Sequence, residues 1–205
     1  MLEFLTRTDA YIFILINSHH SPFFDQFFFV ISQLGNGWFA VPLAAIIVIF
    51  ATPRKYLARA LICAVIAGSL TGIANTQVKR AVHRSRPVVY FEKQMESRPE
   101  KSGIAATVHV VGRRWRENSF PSGHTATAFA AASILALLYG GCFYLGFIPV
   151  LFVAYSRVYM GVHFPSDVLG GAVLGSAVVY FVILVFRQNK HLALPANLRR
   201  GHAEQ

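Results

Sequence analysis

The 205-residue sequence predicts an all-α protein, a polytopic membrane helical bundle of about six transmembrane helices with an N-terminal interfacial helix. Three observations carry that expectation. Hydrophobic residues make up 55% of the chain and charged residues only 14%, where a soluble domain carries roughly a quarter charged. The apolar residues fall in long runs separated by short turn signals, the pattern of a chain whose solvent is lipid. Phe (18) and Tyr (8) are abundant, as a hydrocarbon-facing surface allows.

The elements follow in order. Residues 3–18 form an apolar helix expected to lie in the membrane interface, the alternative being that it spans. The stretch 1–20 has an early acidic residue and no small-residue cleavage site, so no cleavable signal is expected. Residues 22–35, with Ser21 before them, make a short apolar helix ending at the turn Gly35-Asn36-Gly37. Spans over 38–52 and 57–83 come next, then a polar, basic loop over about 85–119. Three more spans cover 121–139, 143–161 and 165–187, the first two separated by Gly140-Gly141. Gly171 and Gly175, four apart, would let a neighbouring helix approach closely. Residues 1–187 form one membrane-embedded domain in this reading, followed by a basic polar tail, 188–205.

The net charge of +10 does not point to nucleic acid. The basic residues sit at the ends of apolar segments, where anionic headgroups or phosphorylated substrates are the natural partners. Seven lie at one end of the bundle, and ten, from Lys79 to Arg116, lie at the other. Cys63 and Cys142 fall inside apolar stretches and read as small hydrophobes. No zinc-ligand spacing is present, so no metal and no cofactor are expected.

Three polar stretches would meet at one membrane face. The first is Lys79, six residues, then Arg86-Pro87. The second is Pro121-Ser122-Gly123-His124. The third is Ser156-Arg157, five residues, His163, three residues, Asp167. Each lies where a predicted helix starts or stops, all at the same end. Ionisable groups at membrane depth are costly and default to function. Arg86, Arg157 and Lys79 offer forked and point-charge donors to a phosphate. The helix start at Ser122 and Gly123 adds backbone N–H donors and a favourable dipole. Two histidines suit a two-step displacement, one attacking phosphorus and one handling the proton of the leaving oxygen. Asp167 is placed to hold one nitrogen of His163 and aim the other.

This combination resembles the type 2 phosphatidic acid phosphatase superfamily, which includes lipid phosphate phosphatases, bacterial acid phosphatases and vanadium haloperoxidases. The match spans 79–167 and holds at every signature position. The resemblance implies a six-helix membrane core and metal-independent phosphoryl transfer through a phosphohistidine. It implies His163 as nucleophile, His124 as acid and base, and Asp167 as the residue that orients His163. It also implies phosphate binding by Lys79, Arg86, Ser122, Gly123 and Arg157. The expected substrate is a membrane lipid phosphate or diphosphate, with undecaprenyl pyrophosphate first. Lipid A, phosphatidylglycerophosphate and phosphatidic acid are the alternatives, followed by a vanadate-dependent haloperoxidase or a non-catalytic transporter or scaffold. Bacterial relatives of this kind imply an inner-membrane protein whose site faces the periplasm, whereas the count of basic residues alone favours a cytoplasmic loop.

The remaining histidines, His19, His20, His83, His109, His191 and His202, match no motif and read as interface or loop residues. Arg113, Arg114 and Arg116 of the long loop are candidates for recognising a second phosphate or an anionic headgroup, with Trp115 seated at the interface.

Overall fold

The computed structural model describes residues 2–97 and 108–189, with Leu192, Leu194, Pro195 and Leu198. Arg98 and Lys101 of the basic loop, and most of the tail including His191 and His202, lie outside the described residues. The described residues form α-helices, one 3-10 turn and no strands. The helices are α1 (Leu2–Asn17), α2 (Pro22–Gln33), α3 (Gly37–Ala51), α4 (Arg54–Val82), α5 (Pro87–Ser97), α6 (Gly123–Tyr139), α7 (Phe147–Tyr159) and α8 (Pro165–Gln188). The 3-10 turn, Gly141–Gly146, joins α6 to α7.

Local sequence explains the boundaries. The Ser21 hydroxyl caps α2 by accepting from the Phe24 N–H, and Pro22 occupies the first helical position. Asn36 caps α3 in the same way through the Trp38 N–H. The turn between them bends α2 against α3 by 56°. His83 ends α4 in the left-handed conformation, at φ 48°. The basic loop is not featureless: Pro87 starts α5 at its N-terminus. Val88, Val89 and Phe91 hold that helix down by burying their side chains.

Arg54–Gln94, Gly141–Tyr159 and Pro165–Gln188 are each long and apolar enough to cross a membrane. The bent α2–α3 pair makes a fourth if counted as one span, and α6 is an apolar helix of 17 residues. The expected spans over 22–35 and 38–52 are α2 and α3, of 12 and 15 residues, each shorter than the roughly 20 residues a crossing needs, so by length the two make one bent unit. The lipid-like exterior is plain in Trp38, Phe23 and Val173, which are 87%, 73% and 69% exposed.

Helix α6 is the centre of the bundle and packs most extensively on α8. A Cβ on Gly171 or Gly175 would collide with the α6 backbone at Ser122 and Ala126, so the two axes approach only because both positions are glycine. One apolar core, around Cys63, Leu138, Tyr139, Ile183 and Phe186, joins α4, α6 and α8 away from the polar face. A second, around Phe13, Phe91 and Phe164, ties α1 and α5 to the start of α8. Helix α1 thus packs against protein through a buried Phe13 and a buried Asp9.

Candidate active site

Four helix ends meet at the polar face. Helix α4 ends just before Arg84 and Arg86, α6 starts at Gly123, α7 ends after Arg157, and α8 starts with Asp167 in its first turn. The site is a convergence of helix termini, where unpaired backbone donors are available to an anion.

Asp167 is fully buried and carries the densest set of contacts. Its Oδ2 accepts from the Ser119 hydroxyl at 2.5 Å and from the Phe164 N–H at 2.8 Å. Its Oδ1 accepts from Arg84 Nη1 at 2.6 Å. The Nδ1 atom of His163 lies 3.6 Å from Oδ2 and 3.5 Å from Ser119 Oγ. The carboxylate and the serine therefore sit on the Nδ1 side of the ring, and Nε2 is the free nitrogen. His163 lies in the α7–α8 connection and is itself buried. Burial pushes its imidazole down from 6.5 to about 3, against the upward pull of Asp167, and Arg86 and Arg157 push it further down.

The cations are held in place by main chain. Arg86 donates from Nε to the Glu117 carbonyl at 2.9 Å and from Nη1 to the Val162 carbonyl at 3.0 Å. Lys79 Nζ donates to the Asn118 carbonyl at 2.8 Å. Arg157 is 7% exposed, its Nη1 meets only the Met160 sulfur, and its Nε has no partner. A buried guanidinium without an oxygen partner is costly, and it stands ready for an anion. The Ser122 Oγ accepts from Thr125 Oγ1 at 3.0 Å and, more weakly, from the Thr125 N–H, so Ser122 caps α6. Ser122 N donates to the Asp167 carbonyl at 2.9 Å, which locks the start of α6 to the start of α8. His124 is half-buried on the first turn of α6, and Arg157, His163, Arg86 and Lys79 lie within electrostatic reach of its ring. All eight residues expected at the site come together.

Three more residues belong to it that sequence reasoning did not assign. Ser119 is fully buried between Asp167 and His163. Arg84 Nη2 pairs with Asp9 of α1 at 2.5 Å while its Nη1 holds Asp167, and its guanidinium covers the Phe164 ring at 4.4 Å. Asp9 also accepts from Ser166 N at 2.9 Å and from the Ser166 hydroxyl. Arg84 was visible only as one more basic residue beside Arg86, and Asp9 lies 158 positions before Asp167, beyond any local pattern. His83, the unassigned histidine nearest the motifs, is an exposed helix cap. His109 pairs instead with Asp25 at 3.0 Å, and His20 stacks on it at 3.9 Å.

The arginines of the loop separate. Arg116 pairs with Glu92 at 2.8 Å, Arg113 stacks over Trp115 at 4.2 Å, and Arg114 lines a pocket with His20 and His109.

A family model described as the PAP2 superfamily matches residues 56–191, a stretch that contains every one of the three motifs. The chain belongs to the PAP2 superfamily. Among similar PAP2 proteins, the lipid A 4'-phosphatase of Bacteroides thetaiotaomicron is 33% identical over 184 residues, covering 85% of this chain and 75% of its own. The undecaprenyl-diphosphatase of Sulfolobus acidocaldarius is 27% identical, covering 85% and 76%. The crystal structure of Aquifex aeolicus LpxE superposes with a TM-score of 0.66 at 28% identity, covering 84% of this chain and 93% of that one. With its apolar, span-length helices, this PAP2 chain is an integral membrane phosphatase.

Proposed function

We propose that the protein removes the terminal phosphate of a membrane lipid phosphate or diphosphate through a phosphohistidine on His163. The observation that carries the reading is the placement of His163: Nδ1 faces Ser119 and a saturated, buried Asp167, and Nε2 is left free on a ring that has Arg86 and Arg157 within electrostatic reach. In the first step the Nε2 lone pair forms a bond to phosphorus while the phosphorus–oxygen bond to the lipid breaks. His124 gives its proton to the departing oxygen. Asp167 stabilises the charge that appears on the His163 ring, and the cations hold the phosphoryl oxygens. In the second step His124 takes a proton from water, whose oxygen bonds to phosphorus while the phosphorus–Nε2 bond breaks, releasing inorganic phosphate and returning the electron pair to a neutral His163.

An apolar groove of about 410 Å³ between α3, α4 and α6 supports a lipid substrate. It shares Gly37, Thr71, Gly72 and Thr127 with the pocket beside His124, so a tail can lie in the bundle while its phosphate reaches the site. Undecaprenyl pyrophosphate and a lipid A 4'-phosphate are the two leading substrates, each matching a relative. In this reading the site faces the periplasmic side of a bacterial inner membrane.

The test is phosphate release in detergent from lipid A, an isoprenyl diphosphate, phosphatidylglycerophosphate and phosphatidic acid, each with and without EDTA. Release from at least one, insensitive to EDTA and inhibited by vanadate, is expected. Halide oxidation with vanadate and peroxide, without phosphate release, would replace the reading with a haloperoxidase. No release from any lipid would leave a transporter or scaffold.

A further inference from the structure

Helix α4 carries a graded face. Lys79, Asn75 and Thr71 are four residues apart, so they stack on one side of the helix about 6 Å apart along its axis. Lys79 is at the phosphate cradle. Asn75, a turn deeper, lines a pocket of about 140 Å³ with His124, Gly123 and the Gly35–Gly37 turn. Thr71 lines the same pocket and also the apolar groove, which continues past Gly68 and Ala64. The order is cation, amide, hydroxyl, alkane. A lipid phosphate entering from the groove presents the same order reversed: tail, headgroup, phosphate.

Asn75 is the anomaly on this face. It is 7% exposed and its Nδ2 has no hydrogen-bond partner. Burying an amide donor unpaired is costly unless a ligand supplies the acceptor. Thr71 has already spent its proton on the Ala67 carbonyl, at 2.8 Å, and can only accept. The pocket lies beside His124, the residue that protonates the leaving oxygen in the reading above, so its occupant is whatever is bonded to that oxygen. Among the described residues no Lys, Arg, Asp or Glu lines it. A second phosphate there would have only an amide to face, whereas hydroxyl, ether or ring oxygens match an amide donor and a hydroxyl acceptor.

We propose that this pocket is the leaving-group subsite, that Asn75 determines its specificity by donating to an uncharged oxygen, and that the preferred substrate is a lipid phosphomonoester of a sugar or polyol rather than a diphosphate. The proposal rests on the phosphatase reading.

The experiment compares four substrates of matched chain length in detergent: a glycolipid with its phosphate on the sugar, phosphatidylglycerophosphate, an alkyl monophosphate without hydroxyls, and an isoprenyl diphosphate. Wild type is expected to favour one of the first two by kcat/KM, and which one separates a sugar from a glycerol leaving group. Asn75→Ala should lower kcat/KM about tenfold on that substrate, and by less than about twofold on the alkyl monophosphate, whose turnover also reports folding. Asn75→Ser, a smaller donor and the second variant should Asn75→Ala fail to fold, should show the same selective loss to a lesser degree. Equal losses on the polyol and alkyl substrates would make Asn75 merely structural. Wild-type preference for the diphosphate, or a loss confined to it, would overturn the ligand class. Phosphate release from none of the four by wild type would remove the phosphatase reading itself, and the proposal with it.

Discussion

His163 and His124 face one cradle but are held in opposite ways. His163 is buried, and its neighbour Asp167 is fixed by Ser119, the Phe164 N–H and Arg84, which is anchored in turn by Asp9. His124 is half-buried, its ring makes no hydrogen bond among the described residues, and it borders an open pocket. One half of the site is finished before substrate arrives, and the other is completed by it. A nucleophile benefits from such preorganisation, since a misplacement of about 1 Å costs roughly 10²-fold in rate. A proton donor that must serve first a lipid oxygen and then water needs room.

The contrast can be broken at its strongest point. His163→Ala should lower phosphate release by roughly 10⁴-fold or more, as loss of a covalent nucleophile does. Rapid quenching of the variant with radiolabelled substrate should trap no phosphoenzyme. A folded variant that keeps a tenth of the wild-type rate would place the nucleophile elsewhere.

His124→Ala tests the open half. A loss of about 10²-fold is expected on a lipid phosphate. An aryl phosphate, whose leaving oxygen needs no proton, should recover part of phosphoenzyme formation. Full loss on both would make His124 a phosphate-binding group instead.

The anchoring chain behind Asp167 sharpens the comparison. Arg84→Lys keeps the charge but cannot hold Asp9 and Asp167 in one fork. A fall in kcat of about tenfold with KM little changed is expected, because the orientation of His163 loosens while the cradle stays. Asp9→Asn should act in the same direction but less. A rise in KM alone would mean that Arg84 binds substrate directly.

The smallest effect is on stability. His163 is held neutral in the fold, with its pKa moved from 6.5 down to about 3. Below pH 6.5 the unfolded chain takes up a proton that the folded site refuses. The stability lent by a depressed histidine pKa is therefore present above that pH and is lost as pH falls towards the folded value. The Tm advantage of wild type over His163→Asn should shrink between about pH 7 and pH 4. An advantage that grows on acidification would show a histidine charged in the fold.

Much of the site was legible in the chain. Lys79, Arg86, Ser122, His124, Arg157, His163 and Asp167 are polar or ionisable residues at the ends of apolar runs, and such groups are too costly in a bilayer to stand there idly. Helix boundaries at Ser21, Asn36 and Pro165 were likewise local, because caps and prolines act within one turn. Helix α5 was not legible, because the polar composition of its stretch hides the three side chains, Val88, Val89 and Phe91, that bury it. The 56° bend between α2 and α3 was not legible, since hydropathy measures how apolar a run is and not how two short helices are set against each other.

What the sequence by itself determined is therefore the helical class, the membrane setting and the identity of the polar groups that converge at one face, because each follows from a residue's own chemistry and its immediate neighbours. Only the tertiary structure decided that Asp9 secures Asp167 through Arg84, that Ser119 shares the carboxylate with His163, that Arg116 pairs with Glu92 while Arg113 stacks on Trp115 and Arg114 lines a pocket, and that Asn75 Nδ2 stands unpaired beside His124. Those depend on which helix ends are brought together. That choice is made by close packing, where glycines at 171 and 175 let α8 press onto α6, and by burial, which forces each polar side chain enclosed there to find a partner among residues far away in sequence or to wait for one from the substrate.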